Sequence, residues 1–238
     1  MTELPVVGQA FGKALRDLTR RDILWQAIWP ALASFIGWVV IATMVWKPVS
    51  AWLINYIPHW SWLDWLGPYL VHFVLLLALA PLVYFTVLAL VAVFALPRMM
   101  TIVAQRDFPD LARLGSPSAA MWGSVMNTLK AGAIFVIGWL LCIPLLLVPG
   151  ALLILPLLWG AWLNQKTFSF DVLAEHASEA ERNDLLVRGK GQFWLAGLAS
   201  TLAAHVPLVN VLAPAFGALM FVHVGLGSLK KLRLKELR

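Results

Sequence analysis

Charged residues punctuate this chain and leave four long apolar stretches between them. From Asp22 to Lys47 there are 24 consecutive residues without Asp, Glu, Lys or Arg. As a helix this stretch is about 36 Å long against a hydrocarbon core of roughly 30 Å, which predicts one full span. The 33 uncharged residues from Trp65 to Pro97 predict a second span, starting after the helix-breaking pair Gly67 and Pro68 and bending at Pro81. The third stretch, Ala131 to Gln165, is broken by Pro144, Pro149, Gly150 and Pro156 into arms of 13 and 15 residues. The fourth, Gly191 to Leu229, repeats the design with Pro207 and Pro214 around Asn210 and has arms of 16 and 15 residues. Arms of about 20 to 24 Å do not easily cross the core. The pattern therefore predicts two helical hairpins that turn back inside the membrane, where their unpaired backbone groups must be buried in protein or face water.

Composition agrees. Of 238 residues, 61% are hydrophobic and only 13% charged, and the mean hydropathy is +0.81. A soluble domain of this size could not hide so much apolar surface. The same arithmetic excludes a disordered tail and a nucleic-acid-binding domain. Cys142 is the single cysteine, so no intrachain disulfide forms. The net charge of +6 reads as basic loops held on one side, because 17 of the 18 Lys and Arg fall outside the connection between the first two spans. The positive-inside rule makes that side cytoplasmic. Hairpins that spanned fully would give the same count, so charge leaves six spans and two spans plus two re-entrant hairpins both open.

The chain reads as one all-α membrane domain. Residues 1–22 form an amphipathic interfacial helix, with Leu4, Val7, Phe11, Leu15 and Leu18 at helical spacing. Spans follow over 23–46 and 65–97. A hairpin over 131–165 is succeeded by a polar cytoplasmic segment over 166–190, a second hairpin over 191–229 and a basic tail over 230–238. Trp52, Tyr56, Trp60 and Trp62 suit a headgroup boundary between the two spans. No secretory signal is expected, since the first 22 residues carry three acids and four bases.

The search for enzyme chemistry is mostly negative. Gly8-Gln9-Ala10-Phe11-Gly12-Lys13-Ala14 has too short a spacing for a phosphate loop, and Ala14 stands where a metal-binding hydroxyl belongs. The five histidines form no His-x-x-x-His or Glu-x-x-His pair, so they read as satisfied or interfacial residues rather than metal ligands. No cofactor and no metal are expected. Asn210 lies at the second hairpin's turn, where its amide either satisfies broken backbone or meets a permeating solute. Arg20 and Arg21 directly precede the first span. Two guanidinium groups beside a helix N-terminus suit an oxyanion, and paired bases there are equally the ordinary topology signal.

The turn Pro207-Leu208-Val209-Asn210-Val211-Leu212-Ala213-Pro214, the run Asn164 to Phe170, and Arg20-Arg21 followed by Pro30 resemble the CysZ-type sulfate transporters, a family that shares its domain with the eukaryotic etoposide-induced protein. The resemblance covers almost the whole chain in the same order. It implies an oligomeric bacterial inner-membrane protein with two long spanning helices and two partly penetrating hairpins, admitting sulfate for cysteine synthesis. It also implies anion binding at Arg20 and Arg21, with Pro207, Asn210 and Pro214 at a hairpin turn or path. Leu18 and Thr19 stand where the family commonly carries Gly-Leu, and Ala104-Gln105-Arg106-Asp107 where it tends to show a Glu-Lys pair. The alternative from another class is a non-transporting scaffold whose basic tail binds anionic lipid or a protein partner.

Overall fold

A computed structural model describes residues 3–58, 63–111, 117–206 and 209–236. Among them every regular element is helical. The α-helices are α1 (Glu3–Leu18), α2 (Arg21–Ile54), α3 (Leu63–Leu90), α4 (Leu96–Asp107), α5 (Pro117–Cys142), α6 (Ala151–Ala174), α7 (Glu179–Arg188), α8 (Lys190–His205) and α9 (Ala213–Glu236). Among the described residues, four segments are long and apolar enough to cross a membrane: Arg21–Ile54, Asp64–Tyr84, Ala120–Leu147 and Ala213–Glu236. The chain divides into two compact units, one of residues 25–97 and one of residues 1–24 with 98–238.

α2, whose residues 25–54 belong to the unit of residues 25–97, continues through Pro30 and Pro48 for 34 residues in all, about 51 Å. Two of its polar side chains pair with α3, and others bond within α2, because an unpaired hydroxyl or indole N–H has no solvent partner in lipid. The Ser34 hydroxyl donates to the Val83 carbonyl (3.0 Å). The Trp38 indole N–H donates to the Thr86 hydroxyl (2.9 Å), which itself donates to the Leu82 carbonyl (2.8 Å). Contrary to the sequence expectation, α3 does not wait for Gly67 and Pro68 but starts at Leu63. Asp64 in its first turn complements the helix dipole, and Pro68, in the second turn, gives up one intrahelical hydrogen bond without ending the helix. The irregularity comes later, as one wide turn over Val91–Ala95.

The other unit is built around α9. Its residues Ala215 to Leu226 are all buried, packed by α1, α6, α7 and α8. Phe221 stacks on Phe193 with ring centroids 6.2 Å apart and also meets Phe168, while Phe11 of α1 meets Phe216 edge-on. Small residues let α6 and α8 approach closely: a Cβ on Gly197 would collide with the Ala161 carbonyl, and one on Gly160 would lie 2.6 Å from the Thr201 methyl. The Asn164 amide then reaches the Thr201 hydroxyl across the same contact (3.0 Å).

The expected arm lengths need correction. The helices run past the uncharged stretches, so that α5 has 26 residues, α6 24 and α9 24, and only α8 keeps the expected 16. Lys130, Lys166 and Lys230 lie inside helices because a lysine stem tolerates an apolar flank while its ammonium reaches water. The breaks between arms fall where the prolines and glycine put them. A tight helical turn over Ile143–Leu147 ends α5, and Gly150 opens α6 at φ +86°, a left-handed conformation that favours glycine. At the other turn the Asn210 N–H donates to the Val206 carbonyl (3.0 Å). Pro214 sits in the first turn of α9, where a missing N–H costs nothing. Pro207 lies outside the described residues.

The N-terminal helix forms, but with a different inner face. Val7, Ala10, Ala14, Asp17 and Leu18 are buried, whereas Leu4, Phe11 and Leu15 remain exposed. The alanines allow α1 to lie close against α9, and the larger apolar side chains are left for a surrounding apolar phase.

Candidate functional site

Arg20 and Arg21 occupy the link between α1 and α2. The link is held by its backbone: Arg20 N–H donates to the Asp17 carbonyl (3.0 Å), and the Arg20 carbonyl accepts from Leu24 N–H (2.7 Å), the first bond of α2. The Thr19 hydroxyl bonds the Arg16 carbonyl (2.7 Å). Ile23, fully buried, fixes the opening turn of α2 against the body of its unit. Both arginines and Asp22 remain exposed. Arg20 Nε and Nη2 donate to Asp22 Oδ1 and Oδ2 at 3.3 and 3.4 Å. The helix start thus carries two exposed cations, one of them loosely paired. Asn210 and Pro214 stand at the start of α9, far along the chain from this link.

Three residues behind Arg20 lies a group that sequence reasoning missed. Asp17, 3% exposed, and His223, 5% exposed, face each other from α1 and α9. Asp17 Oδ2 accepts from His223 Nε2 (2.8 Å), and Asp17 Oδ1 accepts from Arg106 Nη2 (2.6 Å). Arg106 also donates from Nε and Nη2 to the two oxygens of Asp107 (2.6 and 3.0 Å). The Arg106 guanidinium, first through these bonds, holds the Asp107 carboxyl below the usual carboxylate range. Because a carboxylate only accepts, His223 Nε2 carries the hydrogen. Its Nδ1 has no hydrogen-bond partner among the described residues and lies 3.9 Å from Asp107 Oδ2.

Asp17, Asp107 and His223 bring donor atoms within 4.8 Å of one another, a spacing that could hold a cation. The Arg106 guanidinium already bonds both carboxylates, however, and supplies there the positive charge a metal would bring. The network therefore fits an ionic lock of α1, α4 and α9. One signal of it was legible: Asp17 continues the 3.5-spaced series Val7, Ala10, Ala14, so an acid shares the buried face of α1. Nothing in the sequence linked it to a histidine 206 residues away.

Two further carboxylates are perturbed on the polar segment. Glu181 closes a capping box with Ser178 at the start of α7. It also accepts from Arg233 Nε and Nη2 (2.7 and 3.1 Å), and this pairing pulls its pKa down to about 2. Asp171 shows the opposite behaviour: burial pushes it up to about 6 against a hydrogen bond from Ser124. In the tail, Lys230 bonds Asp110 (2.8 Å), and Arg233 also reaches the His176 carbonyl (2.8 Å).

A family model described as sulfate transporter CysZ/etoposide-induced protein 2.4 matches residues 10–214. No curated protein matches the chain.

Proposed function

The chain belongs to the sulfate transporter CysZ/etoposide-induced protein 2.4 family, and from that premise we propose that it passes a small inorganic oxyanion, sulfate first, across the membrane. Arg20 and Arg21 attract and bind the dianion. The hairpin turns, with Pro207, Asn210 and Pro214 at the second, line its path. The observation that carries the reading is the exposed pair of guanidinium groups at the N-terminus of α2, where cations and helix dipole favour the same ligand. The protein works as a homo-oligomer in the bacterial inner membrane, and the sulfate feeds cysteine synthesis. Transport of this kind requires no bound cofactor.

In this reading α2 and α3 span, while α5–α6 and α8–α9 enter and turn back. Two observations support the second hairpin. The 16 residues of α8 reach about 24 Å, short of a core of roughly 30 Å. Of the apolar window in α9, 78% is buried inside the protein rather than turned to lipid. The scaffold alternative draws less support, because Lys230 and Arg233 of the tail are engaged by Asp110 and Glu181.

Binding of labelled sulfate to purified protein in detergent tests the site, since membrane orientation is irrelevant there. Replacing both Arg20 and Arg21 by Lys keeps the charge but loses the planar fork, and replacing both by Gln loses the charge. Affinity should fall in the order wild type, double Lys, double Gln. Equal affinity for all three would return the two arginines to a purely topological role.

A further inference from the structure

Asp22 stands where it competes with the anion that Arg20 would bind. Its carboxylate offers Arg20 two parallel acceptor oxygens, at 3.3 and 3.4 Å, the same fork an oxyanion presents. We infer that Asp22 is an internal competitor that occupies Arg20 when no anion is bound and limits how tightly a dianion is held. This rests on the anion reading of Arg20 and Arg21.

The geometry separates this pair from the other arginine–carboxylate pairs among the described residues. Those of Arg106, Arg188 and Arg233 have closest approaches of 2.5 to 2.7 Å, against 3.3 Å for Arg20. Both of its side chains are also more than 40% exposed. Charge-assisted bonds of full strength are shorter than this, and an exposed pair is screened by water. The Asp22 carboxylate can therefore swing into solvent without leaving a buried charge behind. Arg106 and Arg233 could not release their partners so readily.

Two effects follow from the carboxylate's position. Any anion must first displace it, which weakens all anions alike, by about 1.5- to 5-fold for an exposed pair. Once displaced, it remains tethered two residues from Arg20 and repels the bound anion in proportion to that anion's charge. At a separation on the order of 6 Å in water the repulsion is about threefold in affinity per unit charge. A dianion suffers it twice. The device opposes tight capture, and a conducting site must bind weakly enough for its ion to leave.

The test compares Asp22→Asn, Asp22→Ser and Asp22→Glu with wild type in full-length protein. Labelled sulfate binding is measured in detergent, nitrate is used as a monoanionic competitor, and uptake is measured in vesicles. The two neutral variants should bind sulfate about 15- to 50-fold more tightly. They should raise its advantage over nitrate about threefold and lower both KM and maximal uptake. Asp22→Glu, which keeps the charge, should bind sulfate more weakly than either. The Ser variant carries the test if Asn folds poorly, since both residues suit a first helical turn. If the neutral variants bind as wild type while the double Gln variant of Arg20 and Arg21 loses sulfate, the inference is overturned and the anion site stands. If the double Gln variant binds as wild type too, the anion reading has failed and this inference with it.

Discussion

Asp17→Asn is the most informative single perturbation of the charge network. The carboxylate accepts from two donors that lie on different helices, Arg106 Nη2 at 2.6 Å and His223 Nε2 at 2.8 Å. Asparagine keeps the volume but has one acceptor oxygen, and its NH2 group must face one of those donors. One charge-assisted hydrogen bond is lost, at about 1.5 to 3 kcal/mol, and one buried donor is left without an acceptor, at about 1 to 3 kcal/mol. The larger penalties of a broken buried ion pair, about 3 to 5 kcal/mol, mark the ceiling. Arg106 stays below it because its side chain is 29% exposed and keeps both bonds to Asp107. The expected cost is therefore about 3 kcal/mol. Unfolding of the detergent-solubilised protein by added dodecyl sulfate, followed by tryptophan fluorescence, measures it. The same assay on Arg106→Gln and on the double variant gives the coupling, which should be about 1.5 kcal/mol or more for residues sharing a bond. A change below about 0.5 kcal/mol for Asp17→Asn, or additive single effects, would refute the view that this network locks α1 to α4 and α9.

Two carboxylates should give opposite pH dependences. Glu181, pulled down to about 2 from an ordinary 4.5, stabilises the fold above pH 4.5 and loses that contribution as pH falls toward 2, so the deficit of Glu181→Gln should shrink on acidification. Asp171, pushed up to about 6 from 3.8, costs stability as pH rises through that interval; Asp171→Asn should stabilise at pH 7 and lose its advantage by pH 3, as read by the same unfolding titration. The topology is tested with single cysteines at Pro149 and Asn210 in a Cys142→Ala background. Both should resist an impermeant thiol reagent from the outer face, and labelling as strong as that of a control cysteine at the exposed Asn55 would establish full spans.

Much was legible in the order of residues alone. Long uncharged runs determine membrane residence, because no other solvent accepts so much apolar surface. The prolines and Gly150 determine where α5 gives way to α6 and α8 to α9, because they act on their own backbone. The motifs around Arg20-Arg21 and Asn210 sufficed to recognise the family. Tertiary structure decided the rest, for three physical reasons. Lipid and protein interior are both apolar, so a helix such as α9 has the same composition in either, and only packing shows that Ala215 to Leu226 are enclosed by protein. Helix ends depend on whether a lysine can reach water, so α5 and α6 extend through Lys130 and Lys166 where a count of uncharged residues stops short. Electrostatic partners act through space: Asp17 lies 89 residues from Arg106 and 206 from His223 in the chain, and nothing in their spacing pairs them. Only the crossing of α1, α4 and α9 brings them within bonding distance and turns them into one buried network.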